Sequence, residues 1–156
     1  MADKVEVGAA AVALAAAGMF AGSALFITAV EHPAAMKDSC SNFYSYFTQM
    51  FPRAARLQGG LAILGSHAAM VAAAKSPDSD AKLLWGLSSG LLGAVWPWTL
   101  LAMMPTNKKI LKQDEKDETV QSALLTKWGQ LHSVRTVLSM SAFAVMLAAA
   151  LGKRSA

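Results

Sequence analysis

The feature this sequence has least of is charge. Only 15% of its 156 residues are Asp, Glu, Lys or Arg, whereas 54% are hydrophobic, and the mean hydropathy is +0.38. A typical soluble domain carries about 25% charged residues. The composition therefore excludes an ordinary soluble domain and favours a membrane protein.

Cysteine and histidine are also scarce. Cys40 is the only cysteine, so an intrachain disulfide is excluded. The three histidines form no Glu-x-x-His or His-x-x-x-His pair, the spacings with which one helix presents two ligands to a metal. A metal- or haem-binding bundle that uses Glu31, His32, His67 and His132 is therefore a weak alternative, and no cofactor is expected.

The net charge of +4 does not indicate a nucleic-acid partner, because the basic residues are scattered over loops and helix ends. Lysines that face anionic membrane lipid explain this distribution better.

What the chain does have is four long blocks without any charged residue. They are bounded by Glu6 and Glu31, Arg56 and Lys75, Lys82 and Lys108, and Arg135 and Lys153. Crossing a bilayer takes about 20 mainly apolar residues, and continuous apolar runs must cross as helices. The sequence predicts an all-α integral membrane four-helix bundle with up-down-up-down topology. It forms a single domain over residues 1–156, with helices at about 5–30, 52–74, 82–104 and 126–152.

The first block, "VEVGAAAVALAAAGMFAGSALFITAV", is longer than the apolar region of a secretory signal. Asp3 and Glu6 also dilute the positive charge that a signal needs before this region. We therefore expect a retained first helix.

Proline and apolar spacing predict the connection between the first two helices. "EHP" at 31–33 is expected to end the first helix, and Pro52 suits the first turn of the second. Between them runs an apolar stripe at helical spacing, made of Met36, Cys40, Phe43, Phe47 and Met50. This stripe predicts a short interfacial helix in the first loop, either as a plain anchor or as a lid over a pocket.

Pairs of glycines four residues apart, Gly18 with Gly22 and Gly86 with Gly90, predict close helix packing. The same faces could join copies of the chain into a homo-oligomer.

An even number of crossings brings the unusual polar residues to one membrane face. Successive helical residues turn by about 100°, so Trp128, His132 and Arg135 share one side of the fourth helix. Arg53 and Arg56 form a second cationic stripe on the second helix. Because an arginine at mid-bilayer costs about 2.5–3.5 kcal/mol, we expect these groups to face an internal recess or the interface. Since the run after Arg135 is nearly long enough to span the membrane, the recess should be shallow.

Three motifs, "EHPA" after the first helix, "PTNKKIL" after the third and "WGQLHSVRTVLS" opening the fourth, resemble the anthrone oxygenase family over about residues 10 to 150. Members of this family are small four-helix membrane proteins. Those with an assigned activity oxidise a polyketide anthrone to an anthraquinone with dioxygen and no evident metal or flavin. The resemblance points to Asn107, Trp128, His132 and Arg135, with Arg53 and Arg56 as weaker candidates.

The resemblance implies a cofactor-independent monooxygenase whose partners are membrane lipid and an apolar polycyclic or quinone-like molecule. His132 would remove the acidic C–H proton of the substrate, because histidine titrates near neutral pH. Arg135 would hold the enolate oxygen, and Trp128 would stack on the ring system. A non-catalytic scaffold or a lipid-binding protein is the alternative, because either fold needs only the apolar helices.

Overall fold

A computed structural model describes residues 4–37 and 40–152 of the chain, apart from the side chains of Cys40 and Ser41. Within these ranges the chain forms four long helices: α1 (Lys4–Ala35), α2 (Cys40–Lys75), α3 (Ser79–Lys112) and α4 (Glu118–Gly152). All four are long and apolar enough to cross a membrane. The predicted all-α four-helix architecture is confirmed. Lys153, expected to close the fourth uncharged block, lies outside the described residues.

Each helix packs against its neighbours in the sequence, and α1 also packs against α4. This is the arrangement of an up-down-up-down bundle with short connections. The turn between α2 and α3 is fixed by Asp78, whose carboxylate accepts a hydrogen bond from the backbone N–H of Asp80 at 3.1 Å. This contact satisfies one of the free donors at the start of α3.

Small side chains fill much of the core of the bundle. Many fully buried positions there are alanines, among them Ala13, Ala69 and Ala142. Many large apolar side chains point outward, and Leu83 and Leu101 are 70% and 78% exposed. Small residues let helices approach where lipid removes the hydrophobic drive, while the outer leucines suit acyl chains.

Helices α1, α2 and α3 approach one another closely at Gly65 of α2. A Cβ added there would lie 2.7 Å from Leu92 Cδ2 on α3 and 3.3 Å from Ala16 Cβ on α1. Of the predicted packing glycines, Gly18 faces Phe143 on α4.

The other three predicted packing glycines are Gly22, Gly86 and Gly90. A Cβ added to any of them would have no contact within 4 Å in the described residues, so one copy of the chain does not use them for close packing. Whether they join two copies stays a prediction.

The predicted interfacial helix is not a separate element. Residues 42–50 continue directly into α2, which runs from Cys40 to Lys75 with Pro52 inside it. Proline in a helix interior costs about 3 kcal/mol or more. Here the stripe of Phe43 and Phe47 is buried against Trp128, and this tertiary packing offsets the loss. The stripe's Cys40 side chain lies outside the described residues.

Helices α1 and α3 also run past the prolines that were expected to end them. Each contains a wider π-helical turn, at Ile27–Glu31 and at Thr99–Met103. In each case the residue before the proline donates its N–H five residues back, His32 to Ile27 and Met104 to Thr99. The altered hydrogen-bond register lets the helix continue through a residue that has no N–H. Such π turns are frequent at functional sites, and both flank the cavity described next.

Candidate active site

A cavity of ≈ 210 Å³ lies in the half of the bundle where α1 and α3 end and where α2 and α4 begin. Its lining is mainly apolar and includes Phe20, Ile27, Met50 and Met103. The polar and indole side chains in the lining are Gln58, Trp96, Thr99, Asn107, Trp128, His132 and Arg135. In the described part of the chain no Asp or Glu lines the cavity, so Arg135 is its one charged group.

Four of the residues predicted from the sequence lie together around this cavity. Asn107 comes from α3, and Trp128, His132 and Arg135 come from a single face of α4. Their spacing of four and three residues keeps the α4 side chains on one side of the helix.

The two ring nitrogens of His132 differ in their hydrogen bonds within the described residues: Nδ1 has a partner and Nε2 has none. The ring is only 2% exposed, and its Nδ1 lies 3.0 Å from the hydroxyl of Thr28 on α1. The ring stacks on Trp128 with centroids 5.1 Å apart and planes at 30°. Its Nε2 is buried, lacks a hydrogen-bond partner among the described residues and belongs to a ring that lines the cavity. The contacts with Thr28 and Trp128 therefore fix the His132 ring and its partnerless Nε2 beside an apolar space.

Trp128 is held in an aromatic cluster. Its ring centroid lies 6.0 Å from Phe43 and 5.5 Å from Phe47, which meets it edge-on. His32 flanks it at 5.7 Å. The first turns of α2 therefore form a wall behind the site rather than a separate surface helix, and they fix the indole plane at the cavity.

Gly129 is required for the position of His32. The imidazole of His32 rests directly on Gly129, where an added Cβ would overlap the ring. Since a carbonyl only accepts, His32 Nε2 donates to the backbone oxygen of Leu125 at 2.9 Å. The end of α1 is thereby fastened to α4 beside Trp128.

Replacing Gly129 with Ala is expected to lower the Tm in detergent, because overpacking a close contact typically costs about 1–3 kcal/mol. Gly86→Ala is the matched control: its Cβ meets open space, so the better helix propensity of alanine should leave the Tm unchanged or higher. Adding His32→Ala to Gly129→Ala should restore part of the loss. Equal Tm values for the two glycine variants would contradict this account of the contact.

Among the described residues, the groups that hold Arg135 are neutral. Its Nη2 donates to Gln58 Oε1 at 2.9 Å, and Gln58 in turn donates to Ser23 Oγ at 3.0 Å. The guanidinium carbon lies 5.4 Å from the ring centroid of Phe20, a favourable cation–π distance. These contacts orient the guanidinium at the cavity without neutralising it.

Several buried polar atoms without a partner lie together at this cavity, whereas Ser76 Oγ, Trp85 Nε1 and Gln121 Oε1 lack a partner elsewhere in the described residues. Asn107 Oδ1, Trp128 Nε1, His132 Nε2 and Arg135 Nε all lack a hydrogen bond to the described residues, and all four side chains line the same space. An unsatisfied buried polar group costs about 1–3 kcal/mol, so such atoms are rare unless something else binds them. An apolar pocket with a few converging polar groups is the usual form of a small-molecule site.

The family model for anthrone oxygenase matches residues 47–145, more than half of the chain. The chain belongs to the anthrone oxygenase family. The family resemblance of "PTNKKIL" and "WGQLHSVRTVLS" is thus confirmed, whereas "EHPA" lies before the matched region. No curated protein and no solved structure matches this chain.

In this member of the anthrone oxygenase family, Arg53 and Arg56 do not join the cavity. Both are exposed, and the Arg53 guanidinium donates to the backbone oxygen of Gln49 on its own helix at 2.5 Å. The α2 face that lines the cavity instead carries Met50, Phe51, Gln58 and several small residues. The two arginines therefore suit the role of anchors that extend toward lipid headgroups.

The residues that hold His132 and Arg135 in place, Thr28, Gln58 and Thr136, were not predicted, and neither were Trp96 and Thr99 of the cavity lining. Gln58 carried the only usable signal, since an amide within an uncharged apolar run is expensive unless it has a partner. A threonine hydroxyl in a helix often donates to a carbonyl of the same helix, so the sequence gives no reason to single out Thr28 and Thr136.

His67 lies outside the site. It is exposed, and its Nδ1 lies 2.8 Å from the Ile63 carbonyl of the same helix rather than against another helix. Within residues 4–37 and 40–152, no group of three or more His, Cys, Asp or Glu is arranged to hold a metal ion.

The cavity lining reaches the outer surface of the bundle at α3. Leu100 and Trp96 line the cavity and are 53% and 37% exposed. The Trp96 indole N–H donates to the Gly59 carbonyl of α2 at 3.4 Å. The exposed part of the lining at these two residues is therefore largely apolar.

Proposed function

We propose that this protein oxidises a flat apolar molecule of the anthrone type with dioxygen in the cavity. The observation that carries the proposal is the juxtaposition of a partnerless imidazole nitrogen and an uncompensated guanidinium in one apolar space. A ketone whose opposite C–H is acidic needs a base for the proton and a cation for the resulting enolate oxygen. Membership of the anthrone oxygenase family supports the same chemistry.

The reaction balances without a resident redox group. His132 Nε2 takes a proton from the anthrone CH₂ group, and the enolate passes one electron to dioxygen. The resulting radicals join through a C–O bond, and the proton returns to give a hydroperoxide on that carbon. Loss of the second C–H proton then breaks the O–O bond, which gives the quinone carbonyl and one water. Two electrons from each of the two C–H bonds reduce one dioxygen to the carbonyl oxygen and water.

Each polar group at the cavity has a role in this scheme. Arg135 stabilises the enolate oxygen, whose charge is largest after the first proton transfer, and a fixed cation acts strongly in a site with little water. Trp128 offers an aromatic face for stacking. Its N–H can donate to an oxygen of the ligand, and Asn107 Oδ1 can accept from a hydroxyl of the ligand.

The size and position of the cavity favour a compact, membrane-dissolved ligand. Pockets for drug-sized ligands span roughly 300–1,000 Å³, so a space of ≈ 210 Å³ suits one small ring system better than a two-chain lipid. We propose that a molecule dissolved in the bilayer enters beside Trp96 and Leu100, which line the cavity and are exposed on the outer face of the bundle.

Purified protein in lipid nanodiscs, supplied with an anthrone and ¹⁸O₂, tests the proposal. We expect quinone formation faster than in empty nanodiscs, which report spontaneous oxidation. One dioxygen should be consumed per anthrone, and one ¹⁸O should appear in the new carbonyl. A rate equal to that of empty nanodiscs would overturn the proposal. If native mass spectrometry finds a bound phospholipid that remains after anthrone is added, the lipid-binding alternative is favoured instead.

A further inference from the structure

Two threonines between α1 and α4 connect the cavity histidine to the backbone. Thr28 Oγ1 lies 3.0 Å from His132 Nδ1 and 2.7 Å from Thr136 Oγ1. Thr136 Oγ1 lies 3.1 Å from the Ala24 carbonyl and 3.4 Å from the His132 carbonyl. Thr136 is buried and Thr28 is half-buried, so this relay of hydroxyls is largely shielded.

The direction of each hydrogen bond follows from counting protons. A carbonyl oxygen only accepts, and a hydroxyl has one proton. Thr136 therefore donates to a backbone carbonyl. Its short contact with Thr28 then requires Thr28 to donate, which leaves only a lone pair of Thr28 for His132. Nδ1 of His132 must carry the proton in that contact.

A neutral imidazole carries one proton, so Nε2 is the unprotonated nitrogen. Nε2 is also the atom without a partner among the residues that the structure describes, in a ring that lines the cavity. We infer that Thr28 and Thr136 are positioning residues that hold His132 in the Nδ1–H tautomer and present a basic Nε2 to the substrate. This inference rests on the proposed function for its catalytic meaning, although the tautomer itself does not.

The relay has a second consequence for the proton. Nδ1–H remains a donor to Thr28 both before and after Nε2 is protonated, so the imidazole need not turn during the reaction. The relay ends on backbone carbonyls, which cannot take up a proton. The proton removed from carbon therefore stays on Nε2 until it is delivered to the reduced oxygen.

Ring ¹⁵N spectra of histidine-labelled protein in nanodiscs test the tautomer directly, because protonated and unprotonated ring nitrogens differ widely in chemical shift. The protein has three histidines, and a His132→Gln spectrum identifies the His132 signals by difference. We expect a protonated Nδ1 and an unprotonated Nε2. A wild-type signal from the Nε2–H form would overturn the inference.

Substitutions at the two threonines should move that signal. Thr28→Val removes the acceptor of Nδ1–H, and Thr136→Val frees the Thr28 proton to donate to Nδ1. Both changes should shift His132 toward the Nε2–H form. Thr28→Ser and Thr136→Ser keep the hydroxyls and should retain the wild-type spectrum, as should Thr48→Val, whose hydroxyl bonds only the Ser45 carbonyl. Valine variants with unchanged spectra would contradict the relay.

An activity measurement separates the two proposals. If the function is correct, kcat for anthrone oxidation should fall about two- to tenfold in the valine variants, the worth of a typical hydrogen bond, with KM unchanged and serine restoring the rate. If wild-type protein shows the expected tautomer but no turnover, the function fails and the relay stands. Turnover with the opposite tautomer would remove the relay and leave the function.

Discussion

Replacing His132 with Gln should lower kcat for anthrone oxidation by about 10²- to 10⁴-fold, the usual contribution of a positioned general base. The effect should be this large because His132 Nε2 is the one basic nitrogen in the cavity lining of the described residues, and no carboxylate there can replace it. The rate of quinone formation in nanodiscs, measured by absorbance at saturating anthrone, checks the prediction. KM should change little, since Trp128 and Arg135 still contact the ligand.

His67→Gln is the matched control. The same substitution is made on a ring that is exposed and bonded to its own helix, so the full rate should be retained. A His132→Gln variant with the wild-type rate and an unchanged Tm would show that the proton is removed by another group. Equal losses in both histidine variants would point to a general effect on the bundle instead.

The fold could be predicted because bilayer physics leaves few alternatives. Four uncharged blocks of spanning length allow only helices, and short connections allow only antiparallel neighbours. The ends of the helices could not be predicted from local rules. Pro33 and Pro105 read as stops, yet a π turn before each proline lets the helix continue. The burial of Phe43 and Phe47 against Trp128 similarly outweighs the local cost of Pro52.

The site was predictable on α4 and not on α2. Helical phase places Trp128, His132 and Arg135 on one face whatever the neighbours are, and the bundle interior is the favourable side for that face. The same reasoning gave Arg53 and Arg56 a shared stripe but could not say which way it faces. Near the end of a membrane helix an arginine can extend to the headgroups, so its direction is not forced.

Residues that act through a neighbour were beyond the reach of the sequence. Thr28 and Thr136 lie on helices far apart in the chain, 108 positions from each other, and their contact depends on the π turn in α1. Gln58 meets Arg135 only because α2 and α4 face each other across the cavity. These pairings are properties of tertiary packing, and a single sequence carries no record of them.

The environment of Arg135 is unfavourable for stability and suits a role in function. Its guanidinium is oriented by Gln58 and Phe20, yet the cavity lining in the described ranges offers no carboxylate to neutralise it. Removing a charge from water without an opposite charge is unfavourable, because no attraction compensates for the lost hydration. A residue kept for structure alone would not be expected to have this environment.

Arg135→Met is therefore expected to change activity and stability in different directions. kcat should fall by about 10²- to 10³-fold, as on removal of one group that stabilises an oxyanion. The Tm in detergent should stay the same or rise, since relief of an unneutralised buried charge is expected to exceed the cost of the hydrogen bond that Gln58 Oε1 loses. Arg135→Lys should lie between wild type and methionine in rate, because it keeps the charge but not the planar fork that meets Gln58.

Arg56→Met makes the same chemical change at an exposed position of α2 and should leave both the rate and the Tm close to wild type. A lower Tm and a proportionate loss of folded protein in Arg135→Met alone would mean that the guanidinium supports the bundle through Gln58, in which case the rate per folded molecule would be unchanged. A large loss of kcat in a variant at least as stable as the wild type would mean that the guanidinium is not needed for folding. The partner of the cation would then be the enolate of the substrate.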